Sequence, residues 1–342
     1  MEVLKKYKEL AASCPNAFDF SADSKMIAYI RFDESKVPMY SFPLYKGKSP
    51  SLDQYATYPG EYEYKYPMPG IDNSKVSVHT FDIKSKVTRK IDLPLDEDGY
   101  IPRIKFTNDE NALAIMTLNR HQNRFDLYYA NPRSTLCKLM VRDEAPQYIK
   151  ENAYSNITFY PEHFVVMSEK DGYNHLYLYT AGGNLVKQIT KGNFEVKDFL
   201  GWDQANNTFY FTSNEGSPLR TAVYKIDAKG KKTKLSTQEG SNSAIFSKNM
   251  KYFVNTYSNA NIPPVITLND NKGKVLTTLV DNQKVEATDV GAEYAEQRVL
   301  HIQDHRRSRV ERLDNETRPF RYQQEISCHP APIQRSRLSA SS

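Results

Sequence analysis

The chain has 342 residues, with 46 Lys and Arg against 41 Asp and Glu, and a formal charge of +5. That balance, with lysines spread along the expected strands and turns, gives a solvated surface and no nucleic-acid stripe. Aromatics reach 12%, with 24 Tyr to 1 Trp, a mix suited to half-buried strands and turns. No apolar run is long enough to cross a bilayer. Met1-Glu2-Val3-Leu4 is followed by Lys5, Lys6 and Lys8 with no apolar stretch, so no signal peptide is expected. The chain as written is therefore expected in the cytoplasm. Cys14, Cys137 and Cys328 are far apart and form no CxxC, which supports neither a disulfide framework nor a zinc knuckle.

Taken in chain order, short apolar or alternating runs predict strands over Met26–Phe32, Val76–Ile83, Ala112–Leu118, Phe125–Ala130 and Phe164–Met167. The same signal covers His175–Tyr179, Phe209–Thr212, Ala222–Ile226, Tyr252–Tyr257 and Val265–Leu268. Turn residues punctuate them at Asp23-Ser24, Asn108–Asn111, Gly182-Gly183, Asn206-Asn207, Lys229-Gly230 and Asn269–Gly273. A strand-turn-strand unit recurs from Phe18, Ile104, Ile157, Leu200 and Ala244, its later copies roughly 45 to 55 residues apart and its first gap wider. Four antiparallel strands and their turns need about that length, which is the period of a propeller blade. Tyr173–Tyr179 then supplies the third strand of its blade. The fold expected is all-β: a partial propeller over residues 17–284, after a divergent segment 1–16.

After Lys284 the composition changes. Residues 1–284 hold 29 Lys and 8 Arg, whereas Val285–Ser342 holds 9 Arg and no Lys, and the end is Ser-rich. Such a stretch reads as a disordered or irregular tail. The genetic code offers a sharper hypothesis. Glu311 to Arg318 can be encoded GAA CGG CTG GAT AAT GAA ACC CGC; dropping the first base gives Asn-Gly-Trp-Ile-Met-Lys-Pro. The same offset over Gln323–Arg337 yields Ser-Lys-Lys-Tyr-Pro-Val-Ile-Leu-His-Gln-Tyr-Ser-Gly-Pro-Gly. A one-base slip near Lys284 would thus have put residues 285–342 out of frame. Stop codons in the shifted frame would sink this idea.

The body resembles the N-terminal propeller of the dipeptidyl peptidase IV family over roughly Tyr7 to Gln283. Ala17–Ser24, Ile27–Pro38, Glu169–Tyr177 and Ile189–Val196 carry the resemblance. The shifted frame resembles the first strands of that family's α/β-hydrolase domain. The resemblance implies roughly half of an eight-bladed propeller, from an exopeptidase that removes Xaa-Pro or Xaa-Ala dipeptides from peptide N-termini. It also implies a Ser-Asp-His triad in the hydrolase domain, a possible homodimer through the propeller, no cofactor, and a parent enzyme in the periplasm or cell envelope.

Residue by residue, little of that machinery is in the frame as written. No two of the 14 glycines are four apart, so the G-x-S-x-G elbow is absent. Nor are any two or five apart, which excludes GxGxxG and P-loop sites. The family binds the substrate's ammonium with a glutamate pair in a Tyr-Glu-Glu-Glu run. By spacing this falls on Tyr7-Lys8-Glu9-Leu10, where Glu9 matches one member and Leu10 replaces the other. His79, His121, His163 and His175 have no nucleophile motif beside them and are expected as strand or turn residues. Asp96-Glu97-Asp98 is expected as a surface turn, and no metal site is expected. The expected product is a propeller fragment inactive by itself, or alternatively a non-catalytic binding or dimerisation module.

Overall fold

The computed structural model describes residues 17–45, 58–284, 297–303 and 309–315. Its strands form five four-stranded antiparallel sheets and two hairpins. The first sheet holds β1 (Phe18–Phe20) and β2 (Met26–Asp33), then β5 (Lys75–Asp82) and β6 (Thr88–Lys90). Between β2 and β5 the chain makes a separate hairpin, β3 (Met39–Leu44) with β4 (Gly60–Lys65). The second sheet is β7 (Tyr100–Phe106), β8 (Leu113–Leu118), β9 (Arg124–Ala130) and β10 (Cys137–Glu144). A short helix α1 (Glu151–Ser155) precedes the third, β11 (Thr158–Phe159), β12 (His163–Ser168), β13 (His175–Thr180) and β14 (Leu185–Gln188). The fourth is β15 (Val196–Asp203), β16 (Thr208–Ser213), β17 (Ala222–Ile226) and β18 (Lys232–Lys234). The fifth is β19 (Ser241–Phe246), β20 (Tyr252–Ser258), β21 (Val265–Asp270) and β22 (Val275–Val280). Beyond it, β23 (Gln297–Gln303) pairs with β24 (Arg309–Asn315).

Each sheet is an up-and-down meander, and the burial of its second strand shows where it sits in the array. In the inner sheets, β8, β12 and β16 are buried at nearly every position, as strands covered on both faces must be. In the outermost sheets the pattern alternates: Met26, Ala28 and Ile30 are buried on β2, and Phe253, Asn255 and Tyr257 on β20. One face of each terminal sheet is therefore uncovered among the described residues. Four apolar cores accordingly join five sheets. Met26, Val78 and Ile115 belong to the first, Leu127 and Val166 to the second, Phe209 and Leu178 to the third, and Phe253 and Tyr210 to the fourth. Among the described residues no core joins the first sheet to the fifth. The result is an open arc of propeller-like sheets, each contacting its neighbours, as in other repeat folds.

The turns repeat as well. Where each third strand meets its fourth, one side chain caps the loop: Asp82 for the Ser85 amide, Asn131 for Arg133 and Ser134, Thr180 for Asn184. Asp227 caps Lys229 and Lys231, and Asp270 caps Lys272 and Lys274, all at 2.9 Å. A left-handed residue completes every one of these loops: Lys86, Thr135, Gly183, Gly230 and Gly273. This loop chemistry fixes the register of the polar outer strands, which lack an apolar pattern of their own. The β3–β4 insertion explains why the first sequence repeat is the longest.

Candidate functional site

Strand direction places two kinds of loop at one end of the arc: the connections between sheets, and the turns between second and third strands. The connection from β10 to β11 includes α1. It is anchored at both ends of its loop by Ala145 N donating to Asn123 O at 2.9 Å and Ile149 N to Gln122 O at 2.7 Å. Against it lies the β12–β13 turn, Glu169–Asn174. Between them is a cavity of about 260 Å3 lined by Asp143, Tyr148, Lys150, Asn152, Lys170 and Asn174, among others. Asn174 is buried; its Nδ2 donates to Val196 O at 2.6 Å, and Val196 N donates back to Asn174 O at 2.8 Å. This reciprocal pair ties the third sheet to the start of the fourth. Among the described residues the Oδ1 atoms of Asn174 and Asn152 find no partner, so the cavity walls carry acceptors that these residues leave unmet.

Charges ring the cavity. The Lys150 ammonium lies 2.5 Å from Glu169 and 3.5 Å from Glu195, and Lys197 reaches Glu195 at 2.6 Å. Its bond to Glu169 raises the pKa of Lys150; the bond from Lys197 lowers that of Glu195. Lys170 sits 3.8 Å from the centre of the Tyr177 ring and donates to the Tyr179 hydroxyl at 3.1 Å. Burial, with Asp171 nearby, pushes the Tyr177 hydroxyl well above its usual range. The Asp143 carboxylate accepts a bond from Ser168 Oγ. Such a site can bind and orient polar groups.

A second network holds the preceding connection. Arg142 grips Asp126 with both Nε, at 2.6 Å, and Nη2, at 2.8 Å, while Arg124 bonds Asp96 at 2.6 Å. Asp96 therefore lies in a surface turn tied down by Arg124, and Glu97 is bonded by Lys75 at 2.9 Å. A groove of about 360 Å3 runs beside this network, walled mainly by Phe32, Val76, Tyr100, Ile101, Leu118 and Tyr154.

His79, His163 and His175 behave as structural residues. His175 is buried in β13, with Nδ1 3.1 Å from Thr190 Oγ1 and Nε2 3.0 Å from Gly192 O. His163 lies edge-on to Trp202, and His79 stacks on Tyr29. His79 Nε2 is also 3.0 Å from Ser77 Oγ, but the pair sits along one strand with no carboxylate to orient the ring. Burial lowers the pKa of His79. Among the described residues no group of three or more His, Cys, Asp or Glu side chains could hold a metal. Glu9 lies outside the described residues. Sequence reasoning missed the Lys150–Glu169–Glu195 cluster, because its members come from three separate loops and only the fold joins them. Of its parts, the Glu169–Asn174 turn and Glu195, within Ile189–Val196, carried a sequence signal, each as a stretch of family resemblance.

The sequence profile of the Dipeptidyl peptidase IV (DPP IV) N-terminal region matches residues 9–264. The chain belongs to the dipeptidyl peptidase IV family. The crystal structure of Porphyromonas gingivalis dipeptidyl peptidase 4 superposes with a TM-score of 0.79 at 41% identity, covering 86% of this chain and 41% of that one. Dipeptidyl peptidase 4 of Arthroderma otae is 27% identical over 279 residues, 78% of this chain and 36% of its relative. That of Trichophyton rubrum is 28% identical over 275 residues, 77% and 35%. The chain thus spans about two fifths of the proteins it resembles, and the shared part is the family's N-terminal, β-rich region. Among the described residues no helix is long and apolar enough to cross a membrane.

Proposed function

We propose that this chain is the propeller part of a serine exopeptidase of the dipeptidyl peptidase IV type and does not hydrolyse peptides by itself. In the whole protein that activity would remove Xaa-Pro or Xaa-Ala dipeptides from peptide N-termini, in the periplasm or cell envelope. The observation that carries this reading is the confinement of the match to the family's N-terminal region in a sequence without G-x-S-x-G. Residues 285–342 are proposed to be the start of the hydrolase domain read out of frame, and Glu9 a surviving member of the ammonium-binding pair. Purified protein incubated with Gly-Pro-p-nitroanilide should release no nitroaniline above buffer. Turnover blocked by a serine-directed inhibitor would refute the proposal.

A second reading, a dimerisation module, is favoured by the β3–β4 hairpin. It projects Tyr40, Phe42, Tyr62, Tyr64 and Tyr66, all exposed, in a chain of ring contacts between 4.6 and 6.2 Å. An exposed aromatic cluster of this kind marks an interaction surface more often than a bare surface. Light scattering should give a mass of two chains for the wild type and one for Phe42→Ser/Tyr64→Ser. A monomeric wild type, alone and mixed with an intact relative, would remove this reading.

A further inference from the structure

Lysines scattered in the sequence are gathered by the fold. At the end of the arc opposite the cavity, the β17–β18 turn presents Lys229 and Lys231. The β19–β20 turn presents Lys248 and Lys251, and the β21–β22 turn Lys272 and Lys274; all six are exposed. The turns touch one another. Lys225 Nζ donates to Asn271 O at 3.0 Å, Asn271 N to Lys251 O at 3.0 Å, and Asn271 Nδ2 to Met250 O at 3.1 Å. The lysines in described ion pairs are Lys25, Lys75, Lys150, Lys197 and Lys232, none of them in this group. The carboxylates nearby are Asp203, Asp227 and Asp270, each turned into its own loop as a cap. Lysines exceed carboxylates here by three.

We infer that this turn end of the fourth and fifth sheets docks on an anionic lipid bilayer. Three features favour a bilayer over another polyanion. The charges are ammonium groups on neighbouring turns at one level, which suits the diffuse field of a flat surface, whereas bidentate phosphate recognition calls for arginine. None of the described cavities lies at this end, so nothing there would enclose a single strand or headgroup. Ile245, 78% exposed, and Tyr252, 47% exposed, flank the lysines on the uncovered face of the fifth sheet. A tyrosine at the rim of a basic face is placed for the headgroup layer. Docked this way, the arc would turn its cavity-bearing end to the solvent.

The test is co-sedimentation of the full chain with phosphatidylcholine vesicles containing or lacking phosphatidylserine. The protein should partition to the serine-containing vesicles only, and be released at about 0.5 M salt, where screening is strong. Lys272→Ser/Lys274→Ser should weaken partitioning by roughly fivefold per lysine removed. Lys36→Ser/Lys191→Ser, which removes the same charge from the opposite end, should leave it unchanged. Far-ultraviolet circular dichroism establishes that both variants are folded. Equal losses in the two variants, or no preference for serine-containing vesicles, would overturn the inference. So would binding to heparin or duplex DNA without binding to vesicles.

Discussion

Three glycines occupy the same left-handed position in equivalent turns but meet different surroundings. A Cβ on Gly183, at φ +91°, would lie 2.8 Å from Met140 O and 3.1 Å from Met140 Cα, on the outer strand of the preceding sheet. A Cβ on Gly273 would lie 2.5 Å from Leu235 O, again on the preceding sheet. At Gly230, with φ +81°, nothing lies within 4 Å. Alanine at all three carries the left-handed cost of about 1–2 kcal/mol. At Gly183 and Gly273 backbone atoms must also move, which adds about 1–3 kcal/mol of overpacking. Gly183→Ala and Gly273→Ala should therefore cost about 2–5 kcal/mol and Gly230→Ala about 1–2 kcal/mol. Urea unfolding followed by circular dichroism measures the difference, with the slope of each transition compared to wild type. Equal losses at the three positions would show that close approach between sheets does not set the requirement for glycine.

Asp126 is buried beneath Arg142, so Asp126→Ala should cost about 3 kcal/mol, somewhat less than for a fully buried pair because Arg142 can turn outward; a loss under about 1 kcal/mol in urea unfolding would contradict a structural role. The lowered pKa of Glu195 means that its stabilisation is present above the ordinary carboxylate pKa and is lost as pH falls through the folded value. Glu195→Gln should accordingly flatten the acid limb of a stability-against-pH curve, and an unchanged limb would refute this. Burial pushes the Cys137 thiol up to about 11, with Asp92 adding to the effect, so at pH 8 it should resist a maleimide until the protein unfolds. Peptide mapping that finds native Cys137 labelled as fast as free cysteine would contradict that burial. Trp202, stacked 5.0 Å from Phe209 and edge-on to Tyr160 at 5.2 Å, lies between the third and fourth sheets. Its fluorescence should report the unfolding of those two sheets; a transition displaced from that seen by circular dichroism would mean that the arc unfolds in separable parts.

Central strands were readable from the sequence because burial on both faces demands continuous apolar side chains. Ala222–Ile226 coincides with β17, and Ala112–Leu118 differs from β8 by one residue. The outer strands were not readable. Lys232–Lys234 and Thr88–Lys90 are short, polar and half-solvated, and they become strands only through the capped turns that deliver them. The β3–β4 hairpin was also missed, although Tyr62, Tyr64 and Tyr66 alternate with Glu61, Glu63 and Lys65 at the period of a strand; its aromatics are exposed and belong to no core. Charge shows the same limit: lysines tens of residues apart become neighbours because every blade returns its turns to the same end. The family motifs around Phe18–Phe20 and Glu169–Tyr177 were legible since they are local. The Lys150–Glu195 contact was not, being a property of two loops brought together by stacking.

The proposal with the widest consequence is that residues 285–342 are the start of the family's hydrolase domain read out of frame. Sequencing the DNA across codons 280 to 290 and onward tests it. The prediction is a single-base lesion near Lys284, followed in the shifted frame by an open hydrolase sequence that reaches a G-x-S-x-G elbow. An intact frame through those codons, with stops interrupting the alternative, would contradict it.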